Sequence, residues 1–76
     1  MHATTFRFTV RAPHLGLLSI RAGTYADAAR LAARRRYRGA EVEPVADKPV
    51  LPYGRYYLAV LPNGTRTDPF YVAQEH

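Results

Sequence analysis

Two stretches near the start of the chain, residues 5–11 and 17–22, alternate between apolar and polar residues. Such alternation is typical of strands that bury one face and leave the other in water. Their apolar members are Phe6, Phe8, Val10, Leu18, Ile20 and Ala22. Turn-forming residues from Pro13 to Gly16 separate the two stretches. This short connection predicts an antiparallel hairpin.

An alanine-rich stretch predicts one helix over about residues 24–38. Thr24 is a suitable N-cap, and Asp27 follows three residues later, as in a capping box. Asp27 also suits the positive end of the helix dipole, while arginines crowd the last turns, where the dipole favours cations. Gly39 can take the left-handed conformation that commonly ends a helix.

Three further strands are predicted in the second half of the chain. Residues 41–45 are predicted to form a short strand with Val42 inward, and Pro44 favours an edge position or the strand's end. Residues 55–61 are rich in aromatic and β-branched side chains and predict a stronger strand. Residues 69–72 predict a short final strand.

The connection between the last two strands has two alternatives. Asn63 and Gly64 suit a two-residue hairpin turn. That register, however, places Pro69 in the strand ladder opposite Leu58, and proline has no N–H to donate. A longer loop or a bulge therefore fits the sequence equally well.

The element order β-β-α-β-β-β predicts a single small α+β domain over residues 1–76. Its two layers are one helix and a mostly antiparallel sheet of four or five strands. The expected core consists of Phe6, Phe8, Val10, Leu18, Ile20, Leu31 and Val42. One helix covers only one face of a sheet, so we expect the other face to meet water or a partner.

Size and composition limit the possible classes of protein. A chain of 76 residues without cysteine has neither a disulfide framework nor a thiolate zinc site. No apolar run approaches the ~20 residues that span a bilayer, and the alternating N-terminus does not resemble a signal peptide. We therefore expect a cytoplasmic protein without a membrane partner.

The net charge of +5 is unevenly distributed along the chain. Residues 1–40 hold eight arginines against Asp27 alone, a balance of +7, whereas residues 41–76 hold three cations against five acids, a balance of −2. A basic half suggests an anionic partner such as nucleic acid. The alternative is that the arginine bias reflects GC-rich coding, because alanine is abundant as well.

Arginines occupy two predicted elements. On the helix, Arg30, Arg34 and Arg38 recur at spacings of four and predict a stripe opposite the buried side. Such a stripe can contact phosphates bidentately. The alternative is an ordinary solvated helix face, on which the stems of Arg35 and Arg36 cover the core edge.

On the predicted hairpin, Arg7, Arg11 and Arg21 point away from the core. The fourth strand adds Tyr57 or Tyr56 to the same face, depending on register, and the fifth adds Tyr71 or Phe70. Basic groups between exposed aromatic rings suit RNA or single-stranded DNA, because charge follows the backbone and rings stack on bases. The alternative is a polar sheet face of cross-strand threonine and arginine pairs.

The fourth strand is apolar on both faces, although a strand with one wet face normally alternates. One of its two sets consists of Tyr57, Ala59 and Leu61, and we expect this set to be a candidate interface with a second copy or another protein. The alternative is coverage by the loop at residues 46–53.

The sequence offers few residues that are suited to catalysis. Ser19 is the only serine and lies mid-strand, and the three histidines lie at the termini or in a loop. Glu41 and Glu43 share a strand face, but no third metal ligand accompanies them. The sequence therefore predicts no enzyme, no metal and no cofactor. It favours a binding module for RNA or single-stranded DNA, and the alternative is a protein-interaction module.

Overall fold

A computed structural model describes residues 4–12, 16–48 and 51–75 and confirms the α+β fold. The described residues form one helix and one five-stranded sheet, in which all neighbouring strands are antiparallel. The elements are β1 (Phe6–Ala12), β2 (Gly16–Ala22), α1 (Tyr25–Arg36), β3 (Glu41–Pro44), β4 (Gly54–Val60) and β5 (Phe70–Gln74). The spatial order β2-β1-β5-β4-β3 places the last strand at the centre. Residues 13–15 of the predicted hairpin loop lie outside the described ranges.

The helix begins as the sequence predicts and ends two residues earlier. The Thr24 hydroxyl accepts a hydrogen bond from the Asp27 N–H at 3.1 Å, which confirms the predicted N-cap. Tyr37 is already extended, and its N–H donates to the Ala33 carbonyl at 2.8 Å. Gly39 adopts a left-handed φ of 73° in the turn that follows. No helix in the described part of the chain is long and apolar enough to cross a membrane.

The helix packs against the sheet through its alanines. The helix residues that are completely buried are Ala28, Ala29, Ala32 and Ala33. Below them, Phe8, Val10 and Val72 are the largest side chains with no more than 1% exposure. Small side chains on the helix allow close approach to the sheet, so the sheet supplies most of the core volume.

The prediction of a core position is wrong for two residues, Leu31 and Phe6. Leu31 is 48% exposed because the buried stripe of the helix runs through its alanines and leaves Leu31 beside Arg30 on the outward side. Phe6 is 42% exposed. The described β5 ladder ends where Gln74 pairs with Phe8, so among the described residues Phe6 has a strand neighbour on one side only.

The other predicted core residues lie as expected. Phe8, Val10 and Ile20 are buried, and Leu18 and Val42 are half-buried against the same cluster.

The connection from β4 to β5 is the longer loop, not a two-residue turn. Gly64 adopts a positive φ of 89° within it. Thr67 pairs with β4 through its own N–H, which donates to the Ala59 carbonyl, and through its hydroxyl, which accepts from the Ala59 N–H, both at 3.0 Å. Pro69 therefore stays outside the ladder, and β5 begins at Phe70 opposite Tyr57.

Register divides the sheet residues between two faces. The face under α1 carries the buried side chains of all four longer strands, among them Phe8, Ile20, Tyr57 and Val72. The opposite face packs against no helix of the described residues and is called the open face. Its residues are Arg7, Thr9, Arg11, Leu17, Ser19, Arg21, Glu41, Glu43, Gly54, Tyr56, Leu58, Val60, Tyr71 and Ala73, and the two acids lie at its β3 edge.

Candidate functional site

One row of the open face joins the predicted arginines to the tyrosines. Arg11 of β1 pairs in register with Tyr71 of β5, which pairs with Tyr56 of β4. The two tyrosine rings lie 4.9 Å apart between centroids and are tilted by 50°. The ammonium of Lys48 lies 5.5 Å from the centre of the Tyr56 ring. Across three strands, the row therefore runs from cation to aromatic pair to cation.

A glycine makes room for the aromatic pair. The ring of Tyr71 lies over Gly54 so closely that a Cβ at that position would overlap its hydroxyl and ring carbons. Glycine inside a strand commonly marks such a close approach. Hydrophobic periodicity does not reveal this role, and the signal that indicates it is a glycine at the start of the strongest aromatic strand.

The arginines of the hairpin form the second part of the open face. Arg7 and Arg21 lie directly opposite each other across β1 and β2. With Thr5 and Glu75 they line an open depression of about 320 Å³. The Arg7 Nε lies 3.7 Å from a Glu75 carboxylate oxygen, which is an ion pair but too long for a hydrogen bond. Within the described ranges, neither Arg11 nor Arg21 has a carboxylate within 4.0 Å.

Two helix arginines are bound to acids of the protein itself. Arg30 contacts Asp27 and Glu41, each at 3.0 Å, and Arg34 contacts the second oxygen of Glu41 at 2.8 Å. Arg34 also donates from Nε to the Ala40 carbonyl at 2.9 Å. These contacts fasten the outer side of α1 to the start of β3. Arg30 and Arg34 are therefore only partly available to an outside anion.

Arg38, the third member of the predicted stripe, is separate from the other two. It follows the end of the helix, is exposed and forms no ion pair with the described part of the chain. The three arginines thus do not share one helix face or one environment.

The predicted interface set of β4 lies on the covered face. Tyr57 is 9% exposed and Ala59 is 1% exposed, and Leu61 packs against the same core just after the strand. The ladder fixes this orientation, because Ala59 pairs with the inward Val42 and Tyr57 pairs with the buried Phe70. In the folded chain, Tyr57 is thus not placed to stack on a base.

Of the two adjacent tyrosines of β4, Tyr56 is the one that lies on the open face, a choice that the sequence alone leaves undecided. Tyr56, Leu58 and Val60 are the β4 residues of the open face, and all three are half-buried. Lys48 of the 46–53 loop contacts the Tyr56 ring, so that loop covers part of this set. Val50 of the same loop lies outside the described residues.

The surroundings of Tyr57 make its hydroxyl a weaker acid than an exposed tyrosine. Burial raises the pKa of Tyr57 above its ordinary value of 10.0, the guanidinium of Arg55 partly opposes this, and Tyr25 adds to it. Arg55 itself lies 4.7 Å from the centre of the Tyr25 ring, beneath the first turn of the helix. This aromatic and cationic group therefore belongs to the packing between helix and sheet.

The structure assembles little that resembles a catalytic or metal centre. Within the described ranges, no three His, Asp or Glu side chains come together to hold a metal ion. Glu41 is bound to the helix arginines, and Glu43 lies 2.6 Å from Arg66. The three histidines lie outside the described residues, and Ser19 is exposed on the open face.

The open face is therefore the strongest candidate site among the described residues. It joins exposed cations to an aromatic pair on a rigid sheet, whereas the helix arginines are partly neutralised. Comparison with known protein families, curated proteins and solved structures gives no match to this chain, so its function has to be inferred from its own geometry.

Proposed function

We propose that the protein is a small non-enzymatic module that binds RNA or single-stranded DNA on the open face of its sheet. The observation that carries the proposal is the row of Arg11, Tyr71 and Tyr56, which puts a cation beside two contacting rings. Unpaired bases can stack on aromatic rings while arginines follow the phosphates. The proposal retains the cytoplasmic location expected from the sequence.

The pattern of charge supports a single strand rather than a duplex. The cations and rings lie on a sheet surface, and the one described helix carries two arginines that already bind Asp27 and Glu41. A major groove admits a helix or a two-stranded ribbon, but it offers no exposed base faces for stacking. We therefore assign the open face to an unpaired strand.

Fluorescence anisotropy tests the proposal with labelled single- and double-stranded DNA and RNA at low salt. We expect the single strands to bind more tightly than the duplexes. Tyr56→Ala should weaken that binding by about 1 kcal/mol or more, whereas Tyr56→Phe keeps the ring and should retain it. The absence of binding at ~100 μM, the weak end of ordinary non-specific affinity, would overturn the proposal.

A second candidate is a protein-interaction module that uses the same face. The observation that favours it is the apolar set of Tyr56, Leu58 and Val60, which is half-buried although no helix covers it. This set replaces Tyr57, Ala59 and Leu61, which lie under α1 or against its core. Sedimentation at high concentration, compared with a Leu58→Glu variant, would reveal self-association through these side chains.

A further inference from the structure

Two arginines face each other at one end of the open face without a matching pair of acids. Arg7 and Arg21 occupy opposite positions of the β1–β2 ladder, where side chains begin about 5 Å apart. Like charges directly opposite each other destabilise a sheet. A pairing of this kind is expected where an outside anion offsets the repulsion.

The nearby carboxylate compensates only in part. The Glu75 N–H donates to the Arg7 carbonyl at 2.9 Å, which holds the end of β5 beside Arg7. Its carboxylate nevertheless remains 3.7 Å from the Arg7 Nε, and both side chains are about half exposed, at 58% and 43%. By contrast, Arg34 and its acid partner Glu41 lie at 2.8 Å.

The guanidinium donors are consequently available. Within residues 4–12, 16–48 and 51–75, neither Arg7 nor Arg21 donates a side-chain hydrogen bond to the protein. Each guanidinium carries five N–H donors in a planar fork that matches phosphate oxygens. Thr5 lines the same depression and adds a hydroxyl.

We propose that Arg7 and Arg21 form a binding site for one phosphate group, and that the Glu75 carboxylate competes for it in the free protein. The site deepens the proposed function and rests on it, because it assigns one backbone phosphate of the bound strand to a defined position. A carboxylate beside Arg7 lowers the affinity for a phosphate by placing a negative charge next to it. Removing that charge should tighten binding.

Three glutamine variants test the site, and each changes charge by one unit with little change in shape. Arg21→Gln removes one half of the site, and Glu75→Gln removes the competing carboxylate. Arg35→Gln is the matched control, because Arg35 is exposed on α1 and forms no ion pair with the described residues. Circular dichroism and melting in chloride should show that all three variants fold.

Two ligands separate the site from the proposed function. The first is inorganic phosphate, titrated against chloride at constant ionic strength while the arginine Nε–H signals are followed by NMR. The second is a short labelled single-stranded RNA, followed by anisotropy. For both ligands we expect Arg21→Gln to weaken binding about threefold to tenfold, Glu75→Gln to tighten it about twofold to fivefold, and Arg35→Gln to have little effect.

The outcomes distinguish the two claims. Phosphate binding that depends on Arg21, without any binding of RNA, would support the site and overturn the proposed function. If Arg21→Gln and Arg35→Gln weaken RNA binding equally, or if Glu75→Gln leaves RNA binding unchanged, the phosphate site is overturned and the proposed function stands.

Discussion

The two faces of the sheet differ in what their side chains do, because one face packs against the helix and the other does not. On the covered face, Phe8, Val10 and Val72 pack beneath four buried alanines, and size and shape decide which residue fits. On the open face, Arg11 and Tyr71 lie side by side, and no helix or strand in the described part of the chain covers them. The first face holds the fold together, whereas the second leaves charge and rings available. Mutations on the two faces should therefore separate stability from binding.

Phe8→Ala and Arg7→Ala, at adjacent positions on opposite faces, should give the largest contrast. Phe8 is 1% exposed, so its truncation should lower the free energy of unfolding by about 3–5 kcal/mol. Arg7 is exposed, and its truncation should change that free energy by no more than about 0.5 kcal/mol. Urea unfolding measures both. Equal losses would mean that the open face is covered by a second core.

Neighbouring positions on α1 sharpen the same contrast. Ala32 is completely buried against the sheet, so the larger side chain of Ala32→Leu should overpack the contact between helix and sheet. We expect it to lower the free energy of unfolding by about 1–3 kcal/mol. Leu31→Ala is the control, because Leu31 is 48% exposed and truncating its side chain should lower the free energy of unfolding much less. A larger loss of stability at Leu31 than at Ala32 would show that Leu31, and not Ala32, faces the sheet.

Gly54→Ala should act on binding more than on stability. The added methyl group meets the hydroxyl and ring edge of Tyr71, which can swing away from the strand. We expect the displaced ring to weaken single-strand binding by about 1 kcal/mol, close to the effect of Tyr71→Ala. Anisotropy and urea unfolding of the same sample test this. Unchanged binding with a displaced Tyr71 ring would remove that ring from the proposed site.

Tyr57 should make the stability of the protein depend on pH in alkaline solution. Burial raises the pKa of Tyr57 above 10.0, so the folded protein keeps a proton that the unfolded chain releases. The stabilising contribution is therefore complete below about pH 10 and is lost as pH rises through the raised pKa. Tyr57→Phe should therefore reduce the loss of stability that the wild-type protein shows between about pH 9 and about pH 11, as measured by urea unfolding at a series of pH values. A Tyr57→Phe variant with the same pH profile as the wild-type protein would contradict the burial of Tyr57 on the covered face.

Sequence periodicity predicts the covered face better than the open one. Strict alternation orients β1 and β2, and Thr24 with Asp27 marks the start of the helix. Strand β4 is apolar on both sides, so its orientation depends on the ladder to Phe70, which periodicity does not show. For the same reason, sequence reasoning favoured Tyr57 for binding, whereas Tyr56 lies on the open face.

The arginines show a second limit of sequence reasoning. A helical spacing of four groups Arg30, Arg34 and Arg38, but the length of the helix and the position of Glu41 decide their environments. Glu41 follows the helix and returns beside it at the start of β3, a contact that depends on tertiary structure. Charge counted along the chain therefore overstates what the helix offers to an anion.

The salt dependence of binding in two matched double variants tests the central claim most directly. Arg11→Ala with Arg21→Ala removes two cations from the open face, and Arg30→Ala with Arg34→Ala removes two from the helix, so the net charge falls equally. Each phosphate contact on a single strand contributes a slope of about −0.7 to log affinity against log salt. We predict that the open-face variant loses between about 0.7 of that slope, if Arg7 alone keeps its phosphate, and about 1.4, and that the helix variant retains nearly all of it. Equal losses would show that net charge, and not the open face, determines binding.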